Sequence, residues 1–140
     1  MKRNTIRILI PLIILGLVAA GIVWKYTFRQ TENSVASKKA DIELDADKLI
    51  AFFETNEDSA NVAFLNKIIV VTGNVDNIKQ DNSVVTVYLK NQGSTTGIIC
   101  SFDKSIIDIG VIKPGEPLKI KGICTGYLLD VVLNKCSIEK

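Results

Sequence analysis

A chain of 140 residues carries 17 Lys or Arg against 15 Asp or Glu and no histidine. The missing histidine excludes Ser-His-Asp and Cys-His catalysis, His-ligated zinc, axial His ligation of haem and a histidine pH switch. The formal charge of +2 is unevenly spread: Lys2, Arg3, Arg7, Lys25 and Arg29 flank one apolar run, whereas residues 30–140 hold 12 Lys against 15 Asp or Glu, a balance of −3 that offers no electrostatic footprint for a polyanion.

Residues 8–24, ILIPLIILGLVAAGIVW, are uncharged. As a helix rising about 1.5 Å per residue they span about 26 Å, a little short of a bilayer core of about 30 Å, and snorkelling by Arg7 and Lys25 covers the deficit. The run therefore predicts a single N-terminal transmembrane helix. Val18 and Ala20 suit a signal peptidase cutting after Ala20. Against cleavage, the run continues through Ile22, Val23 and Trp24, with Trp24 and Tyr26 placed as an interfacial belt, which favours an uncleaved signal-anchor over residues 1–29. Three basic residues precede the run and two follow it, so the positive-inside rule puts the rest of the chain outside the cytoplasm, in a periplasm or cell envelope. No cysteine follows closely on the run, so a lipoprotein anchor is not indicated.

Residues 30–41, QTENSVASKKAD, are polar and aperiodic, the pattern of a tether. The domain proper is expected over 42–140, with a helical lead-in at 46–66 and a barrel at 68–138. Asp47 is placed to cap a helix whose apolar stripe is Leu49, Ile50, Phe52 and Phe53; Asn56 interrupts it, and Glu57 and Asp58 suit the first turn of a second stretch carrying Ala60, Phe64 and Leu65.

At Ile68 the period changes from helical to alternating. IIVVTGNV puts Ile69, Val71, Gly73 and Val75 on one face; after the turn-rich VDNIKQDNS, VVTVYL does the same with Val85, Val87 and Leu89, and GIICSF with Ile98, Cys100 and Phe102. DKSIIDIGVI then reads as a short helix capped by Asp103, KPGEP as a turn, and LKIKGIC and LDVVLNKCSI as two more strands. Three strands, a helix and two strands, with Gly73 and Gly122 where a small barrel bends sharply, are the order of a mainly β, five-stranded OB-fold Greek-key barrel. A β-sandwich would want more strands.

The stretches ADIELDADKLIAFFETNEDSANVAFLNKIIVVTGNV, GIICSF and LKIKGICTGYLLDVVLNKC resemble the tRNA-anti-like OB-fold family of bacterial envelope proteins over about residues 40–138. The resemblance implies an OB barrel behind an N-terminal apolar anchor. It implies no established activity and supplies no catalytic or ligand-binding residue.

In GICTGYLLDVVLNKC, a turn at Gly126 and Tyr127 would set Cys124 opposite about Val131 and Cys136 opposite about Lys119, roughly 20 Å apart along the strands and too far for a disulfide. That leaves Cys100 as the candidate partner of Cys136 or Cys124. With no CxxC and no helix N-terminus beside them, the cysteines read as small buried apolar residues, and Asp130, beside the turn, as an acceptor of backbone N–H bonds. No metal site, cofactor or catalytic residue is expected.

The favoured function is a membrane-tethered extracytoplasmic OB-fold binding module for a protein, peptide or small polar ligand. Its candidate surface is Thr86, Tyr88, Ser101 and Tyr127. The alternative is a single-stranded nucleic-acid-binding protein, which would need stacking aromatics and a basic groove along VVTVYL and GIICSF; one outward tyrosine there is no platform. Lys119 and Lys121 point outward and read as a solvated face.

Overall fold

The alternating stretches close into a barrel in the computed structural model, which describes residues 14–23, 33–91 and 93–140. Helices are α1 (residues 14–23), α2 (Asn33–Ser37), α3 (Ala46–Thr55) and α4 (Glu57–Phe64). Strands are β1 (Ile42–Asp45), β2 (Ile68–Gln80), β3 (Val84–Leu89), β4 (Ile98–Asp103), β5 (Pro117–Tyr127) and β6 (Val131–Ile138). The sheet order is β1-β2-β3-β4-β6-β5, and the pairing of β2 with β5 closes β2 to β6 into a five-stranded barrel. The chain divides into two units, residues 1–33 and 34–140.

In the first unit, α1 exposes Leu15, Leu17, Ile22 and Val23. Residues 8–13 and 24 of the expected span lie outside the described residues, as do the ends of the expected signal-anchor. No helix among the described residues is long and apolar enough to cross a membrane.

In the second unit, alternation does what its period dictates. Ile69, Val71 and Val75 of β2, Val85, Val87 and Leu89 of β3, and Ile98, Cys100 and Phe102 of β4 all point into one core, joined by Ile120, Cys124, Val131, Leu133 and Cys136. Each large apolar side chain so buried contributes about 1.5–3 kcal/mol. The lead-in helices complete that core with Leu49, Ile50 and Phe53 from α3 and Ala60 and Phe64 from α4. Asn56 separates them by accepting a hydrogen bond from the Ser59 N–H at 2.9 Å, with Glu57 and Asp58 in the first turn of α4. Asp47 lies in the first turn of α3 rather than capping it; Asp45 is the cap residue. Gly73 is glycine for a packing reason: a Cβ there would stand 2.8 Å from Cβ of Ala46.

Several expectations are corrected. DKSIIDIGVI is not a helix but a turn followed by one 3-10 turn (Ile109–Val111), because five of its residues are β-branched and one is glycine, all poor helix formers. Most of VDNIKQDNS continues β2 through a bulge between Val75 and Asn77, leaving only residues 81–83 as the turn. Of the expected tether at 30–41, residues 33–37 are helical and Val35 is buried, and the domain opens not on a helix but on β1, which pairs in parallel with β2, Ile42 opposite Ile69 through Asp45 opposite Thr72. The closing hairpin turns at Leu128–Asp130 rather than at Gly126 and Tyr127, so Cys124 faces Leu133.

Candidate binding surface

Among the described residues, two surfaces of the barrel bear on ligand binding. On the first, the outer face of β3 and β4, Thr86 stands opposite Ser101 and Tyr88 opposite Ile99. Three of the four expected residues thus share one half-buried face. The Tyr88 ring is already engaged, with the Lys79 ammonium 5.3 Å from its centroid, a cation–π contact that a stacking base would have to displace. Tyr127 is elsewhere. Its ring stacks on Phe53 of α3, centroids 5.5 Å apart at 21°, which makes it a wall fixed to the core rather than a free platform.

The second surface is the tip of the β5–β6 hairpin, where Tyr127 alone was expected. Asp130 secures it: its Oδ1 accepts from the Gly97 N–H at 2.7 Å, and the Val131 N–H donates to the Gly97 carbonyl at 3.0 Å. The backbone-accepting role expected of Asp130 is the one found. With the tip pinned, Leu128 and Leu129 project outward, 86% and 83% exposed. A groove runs between this tip and α4, lined by Glu57, Asn61, Leu65, Thr125, Gly126, Tyr127, Leu128 and Val132. The signal for it was the pair of leucines in GYLLD, adjacent residues that a strand cannot both bury on one face.

Lys119 and Lys121 do not form a solvated face. Lys119 pairs with Glu43 of β1 at 2.6 Å. Lys121 is 6% exposed, with its ammonium 2.9 Å from Glu139 and 3.4 Å from the Ala36 carbonyl. Alternation directs both outward, as read, but the segment from Val35 to Asp45 lies over them. Cations spent on internal partners are withdrawn from any phosphate.

The three cysteines are buried free thiols. Cys100 and Cys136 are in hydrogen-bonding contact, and Cys136 also donates to the Leu133 carbonyl at 3.4 Å. Cys124 is set apart: Cys100 and Cys124 flank Leu133 from opposite sides, two strand spacings or about 10 Å, beyond disulfide reach. Burial pushes the Cys100 thiol well above its ordinary value, and the contact with Cys136 pushes it further. Burial also raises Cys124, against a hydrogen bond from the Gly126 backbone that lowers it. Neither presents a thiolate at neutral pH. Among the described residues, no cluster of three or more His, Cys, Asp or Glu is placed to hold a metal.

The family model that matches, over residues 1–138, is the one described as tRNA_anti-like. The chain belongs to the tRNA_anti-like family. No curated protein matches its sequence. Among solved structures, this tRNA_anti-like chain is similar to one from Klebsiella pneumoniae subsp. pneumoniae titled a "putative nucleic acid-binding lipoprotein", at 17% identity and a TM-score of 0.59, over 78% of this chain and 98% of that one. At that identity the likeness shows the shared fold.

Proposed function

We propose that this tRNA_anti-like protein is a membrane-tethered, extracytoplasmic OB-fold binding module that performs no catalysis. The observation that carries the reading is the pinned β5–β6 tip, which holds two leucines in solvent at the end of the barrel where OB folds use the corresponding loop to bind. Burying each on a partner is worth about 1.5–3 kcal/mol, and a rigid hairpin loses little entropy in offering them. The lipoprotein description of the Klebsiella structure supports tethering at an envelope. In this chain the tether would be the apolar run at 8–24, since its first cysteine is Cys100. The protonated thiols and the missing histidine support the absence of catalysis.

A second reading is favoured by the nucleic-acid-binding description of that same structure: a surface for single-stranded nucleic acid on β3 and β4. Its one aromatic on that face is Tyr88, whose ring already carries the Lys79 ammonium. Stacking is worth about 1–3 kcal/mol per base, and several phosphate contacts are needed besides. The deciding experiment is fluorescence anisotropy of labelled single strands with residues 34–140 at several salt concentrations. The binding-module reading expects Kd above about 100 μM at near-physiological salt, in the range of generic association. Micromolar binding that weakens steeply with salt and is lost in Tyr88→Ala would replace it with the nucleic-acid reading.

A further inference from the structure

The groove between α4 and the β5–β6 tip has a chemistry of its own. One wall is helical, with Asn61 and Leu65 one turn apart; the other is the hairpin, with Tyr127, Leu128 and Val132. Residue 126 adds only backbone to the lining. Gly126 takes φ +133°, which L side chains rarely adopt, and a Cβ there would come within 3.9 Å of Leu65 Cδ1, inside the gap. The hairpin wall is fixed from behind, Tyr127 by its stack on Phe53 and the tip by Asp130.

On the hairpin side Thr125 is already engaged. Thr125 Oγ1 donates to the Val132 carbonyl at 3.2 Å and accepts from Asn134 Nδ2 at 3.3 Å. What the groove offers is apolar surface, two uncharged polar side chains in Asn61 and Tyr127, and one charge. That charge is Glu57: exposed, and in no ion pair among the described residues. Asp58 adjoins it in sequence, and no basic residue lines the groove. A partner acid brought here would face Glu57 at close range, whereas a partner cation would be matched; the rim thus sorts occupants by sign.

We infer that this groove receives a peptide segment of a partner protein in which one or two large aliphatic side chains are flanked by lysine or arginine. The aliphatic groups seat against Leu65, Tyr127, Leu128 and Val132, and the cation lies beside Glu57. The inference rests on the binding-module reading and adds to it where the partner docks and what its segment must carry.

Two measurements on the full chain in zwitterionic nanodiscs test it. In the first, labelled twelve-residue probes of alternating leucine and lysine, or leucine and glutamate, are titrated by anisotropy against the wild type and two variants, Leu128→Ser/Leu129→Ser and Glu57→Lys. The expected result is at least tenfold tighter binding of the lysine probe, a loss of at least tenfold in the double serine variant, and a reversed preference in Glu57→Lys. All altered side chains are exposed, so folding is not at stake. Equal binding of the two probes, or binding unchanged in the serine variant, overturns the inference. In the second, a photocrosslinker is placed at Leu128 or at Tyr88 in intact cells. Adducts from position 128 that a competing lysine probe suppresses support the groove; adducts from position 88 alone overturn it but leave the binding module standing, and adducts from neither overturn both.

Discussion

Gly122 and Cys136 meet at a point where a single methyl group decides the packing. A Cβ on residue 122 would lie 2.7 Å from Cys136 Sγ and 3.2 Å from Leu133 Cβ. Ordinary contact needs about 3.5–4.0 Å, so Gly122→Ala requires the sulfur to move by about 1 Å, into space held by Cys100 and Leu133. Overpacking of this kind costs about 1–3 kcal/mol, offset by about 0.4–1 kcal/mol from the stiffer unfolded chain, a net loss of up to about 2.5 kcal/mol. Cys136→Ala removes the sulfur and costs about 1 kcal/mol for the lost buried atom and the small void. Combined, the new methyl occupies the vacated space. The double variant should therefore be about 1–2 kcal/mol more stable than the sum of the single losses predicts, with residual strain from Leu133. Urea unfolding of residues 34–140 under reducing conditions, followed by circular dichroism, measures all four corners of the cycle. Losses that add to within about 0.5 kcal/mol would refute the reasoning, because neighbours sharing one space cannot be independent.

Asp130→Ala should cost about 1–3 kcal/mol by leaving the buried Gly97 N–H unpaired, and chemical denaturation will show whether it does. Removing one partner of the Lys121–Glu139 pair strands a buried ammonium, so Glu139→Gln should lower the unfolding midpoint more than Lys121→Met, which replaces the charge with apolar volume; the reverse order would contradict the burial of Lys121. In reduced protein, the native state keeps the Cys100 and Cys124 protons that the unfolded chain releases above about pH 9, the ordinary thiol value. Stability should hold below that pH and fall above it by up to about 1.4 kcal/mol per pH unit per thiol, and Cys100→Ala should flatten the slope in denaturant titrations run from pH 8 to 10.5.

The sequence carried the parts of this fold that depend on neighbours along the chain. Val85, Val87 and Leu89 face inward because a strand has period two, and the α3–α4 break is visible because Asn56 followed by Glu57 and Asp58 is a helix start. What it hid depends on residues that are distant in sequence. IELD at 42–45 is too short to register as a strand and gains its partner only when Ile69 to Thr72 arrive in parallel. The hairpin register was misjudged because glycine at 126 invites a turn, whereas β5 runs on past it and bulges at Thr125 and at Lys135–Cys136 absorb the difference. The second bulge, with Lys135 in the left-handed region at φ 53°, returns Cys136 to the core when strict alternation would have sent it out. Of the candidate surface, Thr86, Tyr88 and Ser101 were legible from their alternation. The expected last strand begins at Leu129, and the exposure of Leu128 and Leu129 follows from the turn that lies at 128–130 instead.

β1 has a consequence for how the protein behaves among its own copies. β3 pairs only with the second half of β2, from Val75 onward, so without β1 the backbone groups of Ile68 to Thr72 on that side would form a bare strand edge beside apolar residues, a template for another molecule's strand. β1 covers that stretch and exposes in its place an edge four residues long that carries Glu43 and Asp45, too short and too acidic to recruit a second chain. A version trimmed to the helices and barrel, beginning at residue 46, would keep nearly all of the core and lose this guard, and its first symptom would be self-association through β2 rather than unfolding.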